Sequence, residues 1–220
     1  MARRLAFVLL AATCLGLVVP PRRRAGRSVS VRAEKSEDYV NPVTELLGQF
    51  IPKQEDVVID GVDFSAPKTP LAPARMRDAL DRGLREREWF VTGRVLPELF
   101  ADDFEFRDPD VSLKGIDNYA KGVARLFASN ARCEVVRCDL DDDDTVRVEW
   151  RLSGGVKVGP GLEVKPYVVY TDLKVRDGLV VFQEDRFSIP GWQILVGALF
   201  PWAPIPVPAP PVDELAKKAE

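Results

Sequence analysis

Histidine is absent from all 220 residues. Its absence excludes Ser-His-Asp and Cys-His nucleophilic catalysis, HExxH zinc chemistry, His-ligated haem and any imidazole acid or base. Cysteine is nearly as scarce. Cys14, Cys133 and Cys138 have no CxxC spacing, and a separation of five puts the last two on opposite faces of one strand. They read as small packing residues, not as a zinc site or a disulfide framework. There is no GxSxG, and Gly154, Gly155, Gly159 and Gly161 do not form GxGxxG ahead of a helix, so no phosphate cradle follows. Asp141 to Asp144 lack the alternating ligands and the glycine of a calcium loop and read as a solvated hairpin turn. Neither a metal nor a cofactor is expected.

Acidic residues are missing from the first 33 positions, which hold seven arginines and no lysine. The other 24 basic residues face 34 acids, so residues 34–220 carry a formal charge of −10 and would repel a phosphate backbone. Nucleic-acid binding is disfavoured. Leu5 to Val19 is an apolar run behind Arg3 and Arg4, with the charged start and short hydrophobic middle of a signal peptide. It is too short to span a bilayer comfortably. Arg22 to Arg32, with Ser28 and Ser30, then has transit-peptide composition. The two signals in series resemble the bipartite leaders of algae with complex plastids, with Val31-Arg32-Ala33 similar to a stromal processing site. This implies a plastid protein. A secretory signal with a basic propeptide, and hence a secreted protein, is the alternative.

After this leader (1–33), residues 34–73 carry prolines at 42, 52, 67, 70 and 73 and only short apolar patches, which predicts an extended arm that drapes over its own domain or docks on a partner. Pro73 opens a helical stripe of Met76, Leu80, Leu84 and Val91, and a second amphipathic helix follows Gly115 through Ile116, Tyr119, Ala120, Val123, Leu126 and Phe127. Between them, Val95, Leu96, Leu99 and Phe100 suit a short turn. The period then changes. Val146, Val148, Trp150 and Leu152 share one face of a strand while Arg147, Glu149 and Arg151 share the other. Residues 132–140, 162–175 and 179–189 supply its neighbours. Helices first and a meander later predict an α+β class, with helices packed on a strongly curved antiparallel sheet over 74–190.

The landmarks Phe104-Glu-Phe106-Arg-Asp108-Pro109, Gly115, Tyr119, Val148-x-Trp150, Gly178 and Asp185-x-Phe187 occur in an order similar to that of SnoaL-like proteins. These belong to the nuclear transport factor two-like superfamily, and the likeness is nearest to a plastid and cyanobacterial branch. The resemblance covers about residues 74–190 and implies a cystatin-like conical roll enclosing a pocket. It also implies that the FxDP turn sits near the pocket mouth and that a homodimer can form through the sheet. The chain has no histidine for the pocket position that some enzymatic members use.

In one register of such a sheet, Trp150, Tyr170, Asp172, Gln183 and Asp185 point inward. A carboxylate there, desolvated by Trp150 and Phe187, holds its proton near neutral pH and serves as general acid or base. Asp185 is the first candidate and Asp108 the second. A capping or turn-fixing role is the alternative for both. Tyr119 and Trp150 fit core aromatics as well as ligand stackers.

Phe187 to Val212 is 26 residues without a charge, yet its prolines confine any helix to about Gly191 through Phe200. Trp192, Ile194, Leu195, Leu199, Phe200 and Trp202 suit closing the roll, pairing in a dimer, or resting on a membrane surface. Residues 191–220 thus read as an apolar helix and a Pro-rich extended tail. Three functions remain open. The first is a binding or assembly module at a thylakoid membrane or protein complex, using that segment. The second is a cofactor-independent lyase, isomerase or cyclase acting on a small hydrophobic ligand through Asp185, Asp108 and Tyr170. The third is an apolar ligand carrier.

Overall fold

Pro73 occupies the first turn of α1 (Pro73–Arg87), where its missing N–H costs nothing, and the stripe Met76, Leu80 and Leu84 is fully buried beneath it. The computed structural model describes residues 57–142, 144–158 and 161–218. The leader, residues 34–56 of the arm, Asp143 and Gly159 lie outside these. Helix α1 ends at Glu88, whose left-handed backbone turns the chain into α2 (Trp89–Thr92). The Glu88 carboxylate accepts hydrogen bonds from Arg132 Nη2 at 2.6 Å and from the Cys133 N–H at 2.9 Å, which secures that turn to the sheet.

A 3-10 turn at Pro97–Leu99 leads into β1 (Phe100–Arg107), followed by β2 (Ser112–Lys114) and α3 (Ile116–Leu126). The four strands of the meander are β3 (Arg132–Asp141), β4 (Thr145–Val156), β5 (Leu162–Arg176) and β6 (Leu179–Phe187). They make one six-stranded sheet in the order β2-β1-β6-β5-β4-β3. The fold is α+β, with the helices against a curved, unclosed sheet. Strands β1 and β2 were not anticipated, and β1 pairs with β6 in parallel, the one departure from an antiparallel sheet. The acids of β1, Asp102, Asp103 and Glu105, hide the apolar period that marks a strand, and β2 is only three residues long.

Register shifts interrupt β3 at Val135/Arg137, β4 at Leu152/Gly154 and β5 at Lys174/Val175. Each adds local bend, and together they curve the sheet around the helices. The shift in β3 also changes a parity: Cys133 and Cys138 are both buried, because the bulge brings Cys138 back to the inner face. At Gly154 (φ 100°) an added Cβ would lie 2.4 Å from the Asn130 carbonyl oxygen, so this bend requires glycine.

The core lies between the inner face and the helices. Trp89, Phe100 and Phe104 are wholly buried and meet edge to face, with Phe100 and Phe104 centroids 5.0 Å apart. Residues 57–72 run without regular structure over this domain: the Thr69 N–H bonds the Glu98 carbonyl, the Leu71 N–H bonds the Gly178 carbonyl, and Ile59 is buried. At the other end, α4 (Gly191–Leu199) packs on β5 through Gly197 and Ala198. The Pro-rich tail then follows the outer side of the sheet, where Ala209 donates to the Pro166 carbonyl and accepts from Arg151 Nε, and α5 (Val212–Lys218) lies along β3.

Candidate functional site

Alternation on three adjacent strands delivers polar side chains into the apolar interior. Trp150 on β4, Thr171 on β5 and Gln183 and Asp185 on β6 all face inward, and Thr171 and Gln183 have no exposed surface. Thr171 stands directly opposite Asp185 and next to Val169, the residue paired with Trp150. Such placement lets the three side chains touch.

Their hydrogen bonds have a fixed direction. Trp150 Nε1 can only donate, and it donates to Thr171 Oγ1 at 3.0 Å. The single Thr171 proton therefore goes to Asp185 Oδ1, at 2.7 Å. Gln183 Nε2 also donates to Asp185 Oδ1 at 3.2 Å, and to Tyr119 Oη at 3.2 Å. Oδ1 is thus committed as an acceptor, so the proton of the neutral acid belongs on Oδ2. Burial pushes the Asp185 carboxyl up to about 7. The hydrogen bonds from Thr171 and Gln183 pull the other way, and the charge of Asp108 adds to the rise. At that value both protonation states are populated near neutral pH.

Aromatic rings wall this carboxyl. Tyr119 from α3 packs against Phe106 with centroids 4.8 Å apart, and Tyr167 from β5 meets Phe187 edge to face at 5.8 Å. Burial raises both phenols, and the charges of Asp185 and Asp108 raise them further. Asp108 lies in the turn after β1. Its Oδ1 accepts the N–H groups of Asp110 at 2.7 Å and Val111 at 2.6 Å, so it fixes the turn. Burial raises its carboxyl too, and its field reaches Asp185, Tyr119 and Tyr167.

Tyr170 and Asp172 do not belong to this interior. They pair with Glu149 and Arg147 of β4 on the outer face, correcting the inward register expected for them. Tyr170 is 40% exposed and Asp172 binds Arg186 at 2.8 Å and Arg147 at 3.5 Å, in a surface groove of about 230 Å³. Their inward places are taken by Tyr167 and Thr171, which the sequence reading passed over. The missed signal was the apolar parity of Val169 and Leu173, which Thr171 shares and Asp172 does not.

The uncharged C-terminal segment divides. Leu195 is half-buried, whereas Trp192 and Trp202 are 58% and 80% exposed, with Leu199 and Phe200 exposed beside them. Phe200 and Trp202 meet edge to face at 5.5 Å. Among the described residues no helix is long and apolar enough to cross a membrane, and no three His, Cys, Asp or Glu side chains form a group able to hold a metal.

The sequence profile of the SnoaL-like domain family matches residues 75–183. None of the curated proteins matches the chain significantly. Solved structures with a similar arrangement include a SnoaL-like protein from Jannaschia sp. CCS1, 17% identical, covering 67% of this chain and 100% of that one with a TM-score of 0.46. A protein of ketosteroid isomerase-like fold from Catenulispora acidiphila, in complex with trimethylamine, is 18% identical over 57% of this chain and 97% of its own, with a TM-score of 0.44. A nuclear transport factor two-like protein from Anabaena variabilis is 16% identical over 54% of this chain and 91% of its own, with a TM-score of 0.42. Residues 75–183, which hold most of α1 and of the curved sheet, match the profile, and the chain carries a SnoaL-like domain.

Proposed function

We propose that the SnoaL-like domain binds a small, mostly apolar molecule against the inner face of its sheet and that Asp185 exchanges a proton with it, without a cofactor. The observation that carries this is the buried Asp185 carboxyl, poised at about 7, with both of its hydrogen bonds on Oδ1 and Oδ2 left for an incoming group. As a carboxylate, Oδ2 removes a proton from the ligand, and as the neutral acid it returns one. Isomerisation, cyclisation and elimination all need this pair of steps. The composition of the leader supports a plastid as the place of action, with secretion the alternative.

The test is solvent exchange. A panel of cyclic ketones and hydroxyketones is incubated with the protein in D2O and deuterium entry beside the carbonyl is followed by NMR. Exchange well above buffer on at least one member, reduced about 10²-fold or more in Asp185→Asn, is the expected result. Exchange equal in both proteins ends the proposal. Binding without exchange favours a carrier.

A second role has its own support in the exposed Trp192 and Trp202, two indoles on a segment that carries no charged residue of its own. Docking on a membrane or an assembly through this patch predicts that Trp192→Ser with Trp202→Ser moves the protein from a membrane or complex fraction to the soluble one. Unchanged fractionation ends that role.

A further inference from the structure

Gln183 is fully buried, and its side-chain oxygen Oε1 is buried without a hydrogen-bond partner. A buried amide oxygen left unpaired costs about 1–3 kcal/mol, so natural interiors keep few of them. Turning the amide over would bring Oε1 to the Tyr119 hydroxyl, but it would also set Oε1 against Asp185 Oδ1, the atom now 3.2 Å from Nε2, and two acceptors repel whenever Asp185 is ionised. While Asp185 is ionised the amide is therefore held with Nε2 on Asp185 and Tyr119 and with Oε1 unused.

Beside it lies a complementary group. Tyr119 Oη accepts from Gln183 Nε2 at 3.2 Å, which leaves the phenol's own proton to give. Gln183 Oε1 thus wants a donor where Tyr119 offers one. A carbonyl or an ether oxygen answers only Tyr119, and an apolar atom answers neither. A hydroxyl answers both, because it donates one proton and accepts another.

We infer that Gln183 is a specificity residue and that the ligand of the inner site carries a hydroxyl group, which donates to Gln183 Oε1 and accepts from Tyr119 Oη. This rests on the proposed binding of a small apolar molecule and names its polar group. Sites that bind a substrate hydroxyl reject analogues lacking it, since the buried partner is then left unpaired.

The experiment uses 2-naphthol and its methyl ether, 2-methoxynaphthalene, as fluorescent probes of matched shape. The expected result is at least about tenfold tighter binding of 2-naphthol to the wild-type protein, falling to near parity in Gln183→Met, which keeps the side-chain length. The wild-type ratio needs no variant and stands even if Gln183→Met fails to fold. Equal affinity of the wild type for both probes overturns the inference while leaving the inner binding site intact. A preference that persists in Gln183→Met overturns it as well, assigning the donor's partner elsewhere. Binding of neither probe overturns the proposed function together with the inference.

Discussion

The two faces of the same sheet carry carboxylates in opposite circumstances. On the outer face, Asp172 and Glu184 pair with Arg147 and Arg186, two half-exposed arginines open to water. One residue along β6, on the inner face, Asp185 meets no arginine within bonding distance among the described residues and is answered by a hydroxyl and an amide. Paired surface charges cost little and contribute little. A lone buried carboxyl becomes a proton store instead. A shift of one residue in strand parity separates the two outcomes.

The largest expected effect is on chemistry. Asp185→Asn keeps the shape of the site and removes the exchangeable proton, so deuterium exchange on a responsive ketone should fall by about 10²–10⁴-fold, while Asp172→Asn leaves it unchanged. A comparable loss in both variants would erase the contrast between the faces.

Stability against pH sharpens it further. The Asp185 carboxyl titrates at about 7 in the folded protein and near the ordinary value of 3.8 when unfolded, so the folded state holds the extra proton between these values. Folding is therefore favoured at the acid end of that window and weakens as pH rises through 7. The Asp185→Asn variant lacks this slope. Its stability relative to wild type should rise by up to about 4 kcal/mol between pH 4 and pH 8 in denaturant titrations. A flat difference would show that the carboxyl is not desolvated.

Removing the relay hydroxyl is the next largest change. Thr171→Val leaves the Trp150 N–H without its acceptor and should destabilise the fold by about 1–3 kcal/mol. It also takes a hydrogen bond from Asp185 Oδ1, so the Asp185 titration, followed by carboxyl-carbon NMR, should move upward. A downward movement would contradict the relay's direction. On the outer face, Asp172→Asn breaks contacts to two half-exposed arginines and should cost less than about 1 kcal/mol in thermal denaturation, still less at high salt.

Much of this was legible from residues alone. Met76, Leu80 and Leu84 announce α1, and the strict alternation of Val146, Val148, Trp150 and Leu152 with charged residues announces the inward face of β4. Gln183 and Asp185 follow from the same parity on β6. Strand β5 was harder, because Val168 and Tyr170 compete with Val169 and Leu173 for the core, and only pairing with β4 decides between them. The acids of β1 concealed its strand period, and its parallel partnership with β6 joins segments some 80 residues apart in the chain.

The sequence by itself determined what chemistry is excluded, where the helices and the meander lie, and that a carboxyl would occur on the inner side of the last strand. Periodicity and composition are local, and these features depend on nothing else. Tertiary structure alone decided that Thr171 and Tyr167 replace Tyr170 and Asp172, that bulges return Cys138 to the core, and that Gln183 keeps an unanswered oxygen. Register, burial and hydrogen-bond direction are properties of neighbours, and the neighbours of Asp185 come from four separate stretches of chain.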